Sequence, residues 1–414
     1  MEEEINPEIT PSEGKLFEIG SKESNKTSLL ILAKDPGAAN CLSPVVEALT
    51  KKGRSLFLFA KDRAEEIFNQ KFSQIATISK FAPENIETDK PLIILASGTS
   101  DPEYEGETIR RLKEKDPKNK LVLIEDFPGS LVGITQKLAG FDIAPDFVLV
   151  TSRSSQKNMN QRFPTLGKDR IVPVGQPAFD SLLLEKTKTV NEEVRKKLGL
   201  TKDDLLVTYS GVPSQDHPDL NYQTLELIIS ALSSITDEKG LKIHFVNRNH
   251  PREINPSQFN SILENASENV KIINETKHQK ISTRDITAAS NLVITTISTT
   301  GLETALRGSR SQTELEQTGW IPIHILLPQA QDFIRRTAGS LPVIELGATA
   351  IAFNEGEVRE AVEKSLFDES FKKEVLNAQQ GPLRNEYRFY GKRTSTDRVL
   401  LWLRYFDKTK GNPS

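Results

Sequence analysis

The stretch LLILAKDPGAANCLSPVVEAL, Leu29–Leu49, decides how this chain folds. Its first five residues are apolar without interruption and read as a strand covered on both faces. A turn with Gly37 and Asn40 follows, and then Leu42, Val45, Val46 and Leu49 recur at i, i+3, i+4 and i+7, one face of a helix. A strand that runs directly into a helix is the unit of an open α/β sheet, and such sheets place ligands at the carboxyl ends of their strands. Lys34, Asp35, Gly37 and Asn40 occupy that address, where a helix start offers backbone N–H groups.

The same rhythm continues. SLFLFA (55–60), IATISK (75–80), PLIILAS (91–97), LVLIED (121–126), FVLVTS (147–152) and IVPVG (171–175) are short β-rich runs separated by helical stretches. Runs this apolar imply parallel strands with helices on both sides, and right-handed crossovers then give a doubly wound sheet. QPAFDSLLLEKTKTV (176–190) breaks the rhythm, and a second series opens after Gly199. It comprises LLVTYSG (205–211), LKIHFVN (241–247), VKIIN (270–274), NLVITT (291–296), IPIHILL (321–327) and PVIEL (342–346), with helices such as 224–235 between them. The expected fold class is therefore α/β, two Rossmann-like domains with parallel sheets facing across a cleft. The domains are expected at 25–180 and 181–394. Residues 395–414 form a last helix and tail, with Val399, Leu400, Leu403 and Phe406 on one face, packing near the junction.

At 414 residues the chain is too long for a single ordinary core, which agrees with two domains. A charged fraction of 27% and a hydrophobic fraction of 36% describe an ordinary globular composition. The net charge of −3 supplies no general basic field, so nucleic acid is not an expected partner. One cysteine, Cys41, excludes an internal disulfide and a cysteine zinc site, and reads as a small buried residue. Residues 1–24 hold seven Glu against two Lys and read as a flexible acidic tail without the basic start and apolar middle of a signal peptide. No apolar run reaches the roughly 18 residues of a membrane helix. A cytoplasmic protein is expected. The basic run Arg110, Arg111, Lys113, Lys115, Lys118 and Lys120 reads as a solvated helix face, with a peripheral membrane contact left open, as is a homodimer.

The densest polar signal is TTISTTGLETALRG, Thr295–Gly308, a buried strand opening through a hydroxyl-rich turn into a helix. Ser298, Thr299, Thr300 and Gly301 at that helix start suit a diphosphate, and Glu303 can accept from ribose hydroxyls. A plain N-cap with Glu303 completing a capping box would leave the same sequence trace. His250 and Arg252 follow a strand in VNRNHPRE (246–253), where an imidazole and a guanidinium can meet phosphate. His217 in SQDHPDLN reads more simply as a surface turn.

The segment 295–308 resembles the donor-binding motif of GT-B glycosyltransferases and of non-hydrolysing UDP-N-acetylglucosamine 2-epimerases. Other segments follow in that superfamily's order. VGQPAFDSL (174–182) looks like a Gly-x-Pro-x-x-Asp element entering the interdomain linker. TYSGVPSQDHPDLNYQTLELIISAL (208–232), with Ser210 and Gly211, resembles the first strand, loop and helix of a donor domain, and VNRNHPRE resembles a strand ending in His-Pro. The resemblance implies a GT-B-like glycosyltransferase moving a sugar from a nucleotide-activated donor, a UDP-sugar first, to a glycan or small-molecule acceptor. The donor would sit in the second domain and the acceptor in the first. An epimerase of the same scaffold and a non-catalytic sugar-nucleotide-binding protein are the alternatives. ASGTS (96–100) and IEDFPGS (124–130) depart from the epimerase pattern.

Transfer needs a group that takes the acceptor's proton. Asp126, at the end of LVLIED, is the first candidate and Asp35 the second, with Glu125 beside them. Ser97, Gly98 and Thr99 line the same edge. No Asp-x-Asp, Walker A or Gly-x-Gly-x-x-Gly occurs, and no His/Cys cluster has zinc spacing. No cofactor and no metal are therefore expected.

Overall fold

The computed structural model describes residues 15–19, 28–74, 76–80, 86, 91–98, 102–184, 187–212, 219–250, 253, 257–273, 281–309, 320–387 and 393–408. The chain divides into two compact units, one of residues 1–180 with 391–414 and one of residues 181–390.

The first unit carries β1 (Lys15–Ile19), β2 (Leu29–Ala33), β3 (Leu56–Ala60), β4 (Ala76–Lys80), β5 (Ile93–Ser97), β6 (Lys120–Ile124), β7 (Phe147–Val150) and β8 (Ile171–Pro173). They form one sheet in the order β4-β1-β3-β2-β5-β6-β7-β8. Strand alternation divides the sheet's side chains between two cores. Leu29, Ile31 and Ala33 of β2 pack with Leu42, Val45 and Val46 of the helix Pro36–Lys51. Leu30 and Leu32 face the other way, toward Ile109, Leu112 and Ile134. Both faces are covered, which is why the strands read as unbroken apolar runs. Truncating a residue such as Leu42 would cost about 2–5 kcal/mol at this depth.

Two expectations are corrected here. Lys15–Ile19 lies within the stretch expected to be a flexible tail, yet it forms β1, antiparallel to both β3 and β4. Averaging over 24 Glu-rich residues hid the short β-capable run KLFEI, whose Ile19 is buried in the first core. Residues 1–14 and 20–24 lie outside the described residues. Because β1 is inserted, IATISK does not join the parallel ladder. Its strand β4 keeps the direction of β3 but pairs antiparallel with β1.

The second unit carries β9 (Leu205–Ser210), β10 (Ile243–Arg248), β11 (Val270–Ile272), β12 (Leu292–Thr295), β13 (Ile321–Ile325) and β14 (Ala350–Ala352). All five ladders are parallel, in the order β11-β10-β9-β12-β13-β14. Counted within the unit this is 3-2-1-4-5-6, the Rossmann order, whose direction reverses between β9 and β12. PVIEL is corrected as well. Pro342 opens a short helix, Pro342–Glu345, and the sixth strand is the alanine-rich β14. Proline's fixed φ suits a helix start, whereas within a sheet it removes a ladder donor.

The final helix, Ser395–Lys408, packs on the helix Pro36–Lys51 of the first unit, with Val399, Leu400 and Leu403 buried in that core. The face expected to be apolar is thus largely covered by its own unit; the Phe406 side chain lies outside the described ones. Among the described residues no helix is long and apolar enough to cross a membrane.

Candidate functional site

In the second unit the sheet's reversal point gathers the polar residues. Ser210 ends β9 and Thr295 ends β12, directly paired in register, and the Thr295 hydroxyl donates to the Ser210 carbonyl at 2.9 Å. Two residues past Thr296, Ser298 caps the helix Thr299–Gly308 and accepts from the Thr300 N–H at 3.3 Å. The Thr300 hydroxyl lies 3.0 Å from that of Ser298 and 3.1 Å from that of Ser210. Three hydroxyls therefore share one position with a helix N-terminus, where partial positive charge accumulates. Such a set offers donors to phosphoryl oxygens without any backbone rearrangement.

The capping-box reading fails geometrically. With Ser298 as N-cap, the box position three residues on is Gly301, and Glu303 stands two places further into the helix. Gly301 itself is needed from below. A Cβ there would strike the ring of His324 on β13 and the methyl of Thr295. His324 is fully buried, and burial holds its imidazole down at about 4, so it is neutral at physiological pH. Its Nδ1 lies 2.8 Å from the Thr349 hydroxyl, which also lies 2.8 Å from the Pro322 carbonyl and donates to it.

His250 is half-buried, two residues past β10, and its carbonyl accepts from the Glu253 N–H at 2.9 Å. Arg252 and His217 lie outside the described residues. Gly211 follows β9 immediately, 3.1 Å from the Asn221 side chain if it carried a Cβ.

Two features escaped the sequence reading. Arg248, the last residue of β10, is in register with Ser210 and so shares its face of the sheet. Its guanidinium reaches the Thr283 hydroxyl through Nε and Nη2 at 3.3 and 3.2 Å. Strand alternation from Ser210 could have placed it. Asn221, fully buried, accepts from the Tyr209 hydroxyl and Val212 N–H at 3.0 Å each and donates to the Val212 carbonyl and Glu253 at 2.7 and 2.9 Å. It ties the exits of β9 and β10 together, and only the fold brings those partners within reach.

In the first unit Asp35, Gly37 and Asp126 come together at the carboxyl edge. Asp35 is the N-cap residue of the helix Pro36–Lys51, though its side chain makes no cap hydrogen bond. A Cβ on Gly37 would collide with the Asp126 carboxylate, so glycine makes room for that group. Oδ1 of Asp126 is enclosed and has no hydrogen-bond partner. Burial raises the Asp126 carboxyl from 3.8 to about 7, the Ser130 hydroxyl opposes the rise, and the charges of Asp35 and Glu125 add to it. Gln176, in the VGQPAFDSL segment, donates to the Asp126 carbonyl at 3.1 Å.

The neighbouring Glu125 is a different kind of group. Its carboxylate accepts from the Gly129 N–H at 2.8 Å, the Thr151 N–H at 2.9 Å and the Thr151 hydroxyl at 2.7 Å. It is committed to holding its loop, although burial raises its proton affinity too. Asn40 is exposed on the second turn of the helix, and Ser97 is buried, donating to the Ile124 carbonyl at 2.9 Å. Thr99 lies outside the described residues. Among the described residues no group of three or more His, Cys, Asp or Glu could hold a metal ion.

Comparison with known proteins agrees with this architecture. The family described as CDP-Glycerol:Poly(glycerophosphate) glycerophosphotransferase matches residues 137–300, ending in the hydroxyl turn. A UDP-GlcNAc 2-epimerase from Methanocaldococcus jannaschii, solved with UDP-GlcNAc and UDP, superposes with a TM-score of 0.61 at 14% identity, covering 92% of this chain and 100% of its own. The enzyme of that name from Neisseria meningitidis, bound to UDP-GlcNAc, gives 0.60 at 11% identity with the same coverages. An α,α-trehalose-phosphate synthase (UDP-forming) from Burkholderia vietnamiensis gives 0.53 at 11%, covering 92% and 99%. No curated protein matches the chain. The fold is that of the GT-B class, two Rossmann-like units in one chain.

Proposed function

We propose that this protein is a transferase that takes a nucleotide-activated sugar, a UDP-sugar first, and moves the sugar to a hydroxyl of a glycan or small-molecule acceptor. The observation that carries the reading is the convergence of Ser210, Ser298 and Thr300 on one helix start at the sheet's reversal point. The solved neighbours with UDP or UDP-GlcNAc bound support it. In this reading the donor's diphosphate lies against those hydroxyls and the helix start, with Gly301 seating the helix, Arg248 and His250 beside them, and Ser210 and Gly211 closing the floor. Glu303 accepts from the ribose.

The chemistry asks for a base on the acceptor. Asp126, as carboxylate, takes the hydroxyl proton, and the acceptor oxygen forms a bond to the anomeric carbon. The bond from that carbon to the diphosphate breaks, and the nucleoside diphosphate leaves with the electron pair. The helix start and Arg248 stabilise the charge that grows on it, without a metal. Burial holds the proton affinity of Asp126 high, with the Asp35 charge adding to it, and Gly37 and Asn40 border the acceptor.

A second reading, epimerisation of the nucleotide sugar, draws support from the paired carboxylates Asp35 and Asp126 and from the epimerase neighbours. A panel of nucleotides in a thermal-shift assay tests binding, since a ligand selective for the native state raises the melting temperature. Incubation with the best nucleotide sugar separates the chemistries. Free nucleoside diphosphate formed only with acceptor supports transfer, and an altered sugar on an intact nucleotide supports epimerisation. Neither product supports a binding protein. Glu303→Ala should weaken nucleotide binding with folding intact; unchanged affinity contradicts the site.

A further inference from the structure

Arg284 has a guanidinium whose Nε and Nη2 are enclosed by protein and make no hydrogen bond. It forms no ion pair with a carboxylate among the described residues. A guanidinium stays charged at any pH a protein survives, so N–H groups shut away from water without an acceptor are costly. Two further guanidiniums stand nearby, with the Asp285 carboxylate in the same helical turn. Arg307, fully buried, donates through Nη2 to the Arg284 carbonyl at 2.9 Å and through Nη1 to the Thr287 hydroxyl at 3.1 Å. Arg248 bonds the hydroxyl of Thr283, the residue next to Arg284.

The location of this cationic cluster is set by the fold. The helix Thr283–Ala289 leads through Ser290 and Asn291 into β12, so its first turn lies at the edge of the sheet where β12 ends. Arg248, at the carboxyl end of β10, touches that turn, and Arg248 is the register partner of Ser210. Ser210 in turn meets Thr300 at the helix start. Arg284 thus belongs to the same edge as the hydroxyl cluster.

We propose that Arg284 and Arg248 together form an anion subsite that takes a phosphoryl group of the bound nucleoside diphosphate. This rests on the reading of the second unit as the diphosphate site. The unpartnered N–H groups of Arg284 are completed by phosphoryl oxygens, and a planar fork suits that geometry better than an ammonium. Arg284 is a binding residue, with no part in moving a proton.

The test is calorimetric titration of UDP, CDP and uridine into the full chain and its Arg284→Gln and Arg284→Lys variants, with thermal unfolding of each in the absence of ligand. Arg284→Gln should weaken the diphosphate that binds the wild type by about tenfold to a hundredfold and leave uridine unaffected, with Arg284→Lys in between. The ligand-free melting temperature of Arg284→Gln should be equal to or above wild type, because an uncompensated charge has been removed. Wild-type diphosphate affinity in Arg284→Gln, or a lowered ligand-free melting temperature, overturns the subsite alone. If neither UDP nor CDP binds the wild type, the diphosphate reading fails and the subsite falls with it.

Discussion

Asp180 and Thr396 stand 216 residues apart in the chain and share two hydrogen bonds, from the Thr396 N–H at 2.8 Å and from its hydroxyl at 2.7 Å. The other carboxylate oxygen accepts from the Ser395 N–H at 2.8 Å. Asp180 closes the Gly-x-Pro-x-x-Asp element of VGQPAFDSL, and its work is to cap the final helix onto the first unit. Gly175, which opens the element, has φ +88°, and a Cβ there would strike Ser395. A segment read as the entry to a linker is therefore also the anchor for the returning carboxyl-terminal helix.

Asp180→Ala should destabilise the first unit by about 1–2 kcal/mol, the range for losing an N-cap carboxylate. Asp180→Asn should cost less, because one oxygen remains to accept. Denaturant unfolding of the three proteins checks the order, and an unperturbed Asp180→Ala midpoint would remove the anchoring role.

Gly301→Ala forces a methyl toward His324 and Thr295, and overpacking of this kind costs about 1–3 kcal/mol. Shortening the obstacle should recover part of that loss. The Gly301→Ala/His324→Ala double variant should therefore be more stable than the two single losses summed. Strict additivity in the double-mutant cycle would show that the two residues do not press on each other.

With Asp126 as the proposed base, its buried carboxyl should make stability and activity move in opposite directions with pH. Its folded value of about 7 lies above the 3.8 of an ordinary aspartate, so between them the folded chain keeps a proton the unfolded chain has lost. The stability this supplies is complete below about pH 3.8 and is lost as pH rises through about 7. His324, held at about 4 against 6.5, contributes the reverse slope over nearly the same window, gaining stability as pH rises. The informative comparison is therefore wild type against Asp126→Asn, whose unfolding free energy should fall less, or rise more, from pH 4 to 7. In the proposed reaction Asp126 acts as carboxylate, so transfer activity should increase with pH through about 7 and drop about 10²–10⁴-fold in Asp126→Asn. A pH–rate profile flat between 5 and 8 would contradict the assignment.

The fold was legible where burial leaves a continuous trace. Leu29–Ala33 and Leu292–Thr295 are enclosed on both faces, and such strands announce themselves as apolar runs. β1 and β14 were not legible, because KLFEI lies in an acidic context and Ala350–Ala352 has weak strand character, so both owe their state to pairing with neighbours. The hydroxyl turn could be read as a site because its residues are contiguous. Asn221 could not, since its partners Val212 and Glu253 meet it only when the sheet is assembled, and Arg284 stands in no motif at all. Asp126 and Glu125 are alike in sequence, both at the end of LVLIED, and only their hydrogen bonds tell them apart.

The central claim is that the second unit holds a nucleoside diphosphate at the start of the helix Thr299–Gly308. Amide hydrogen exchange of the full chain with and without saturating UDP tests it directly, because it reports where binding slows backbone opening. Slowed exchange in peptides covering 205–212 and 295–308, with the first unit little changed, is the result this account requires. Slowing confined to the first unit, or the same exchange with and without UDP in 295–308, would contradict it.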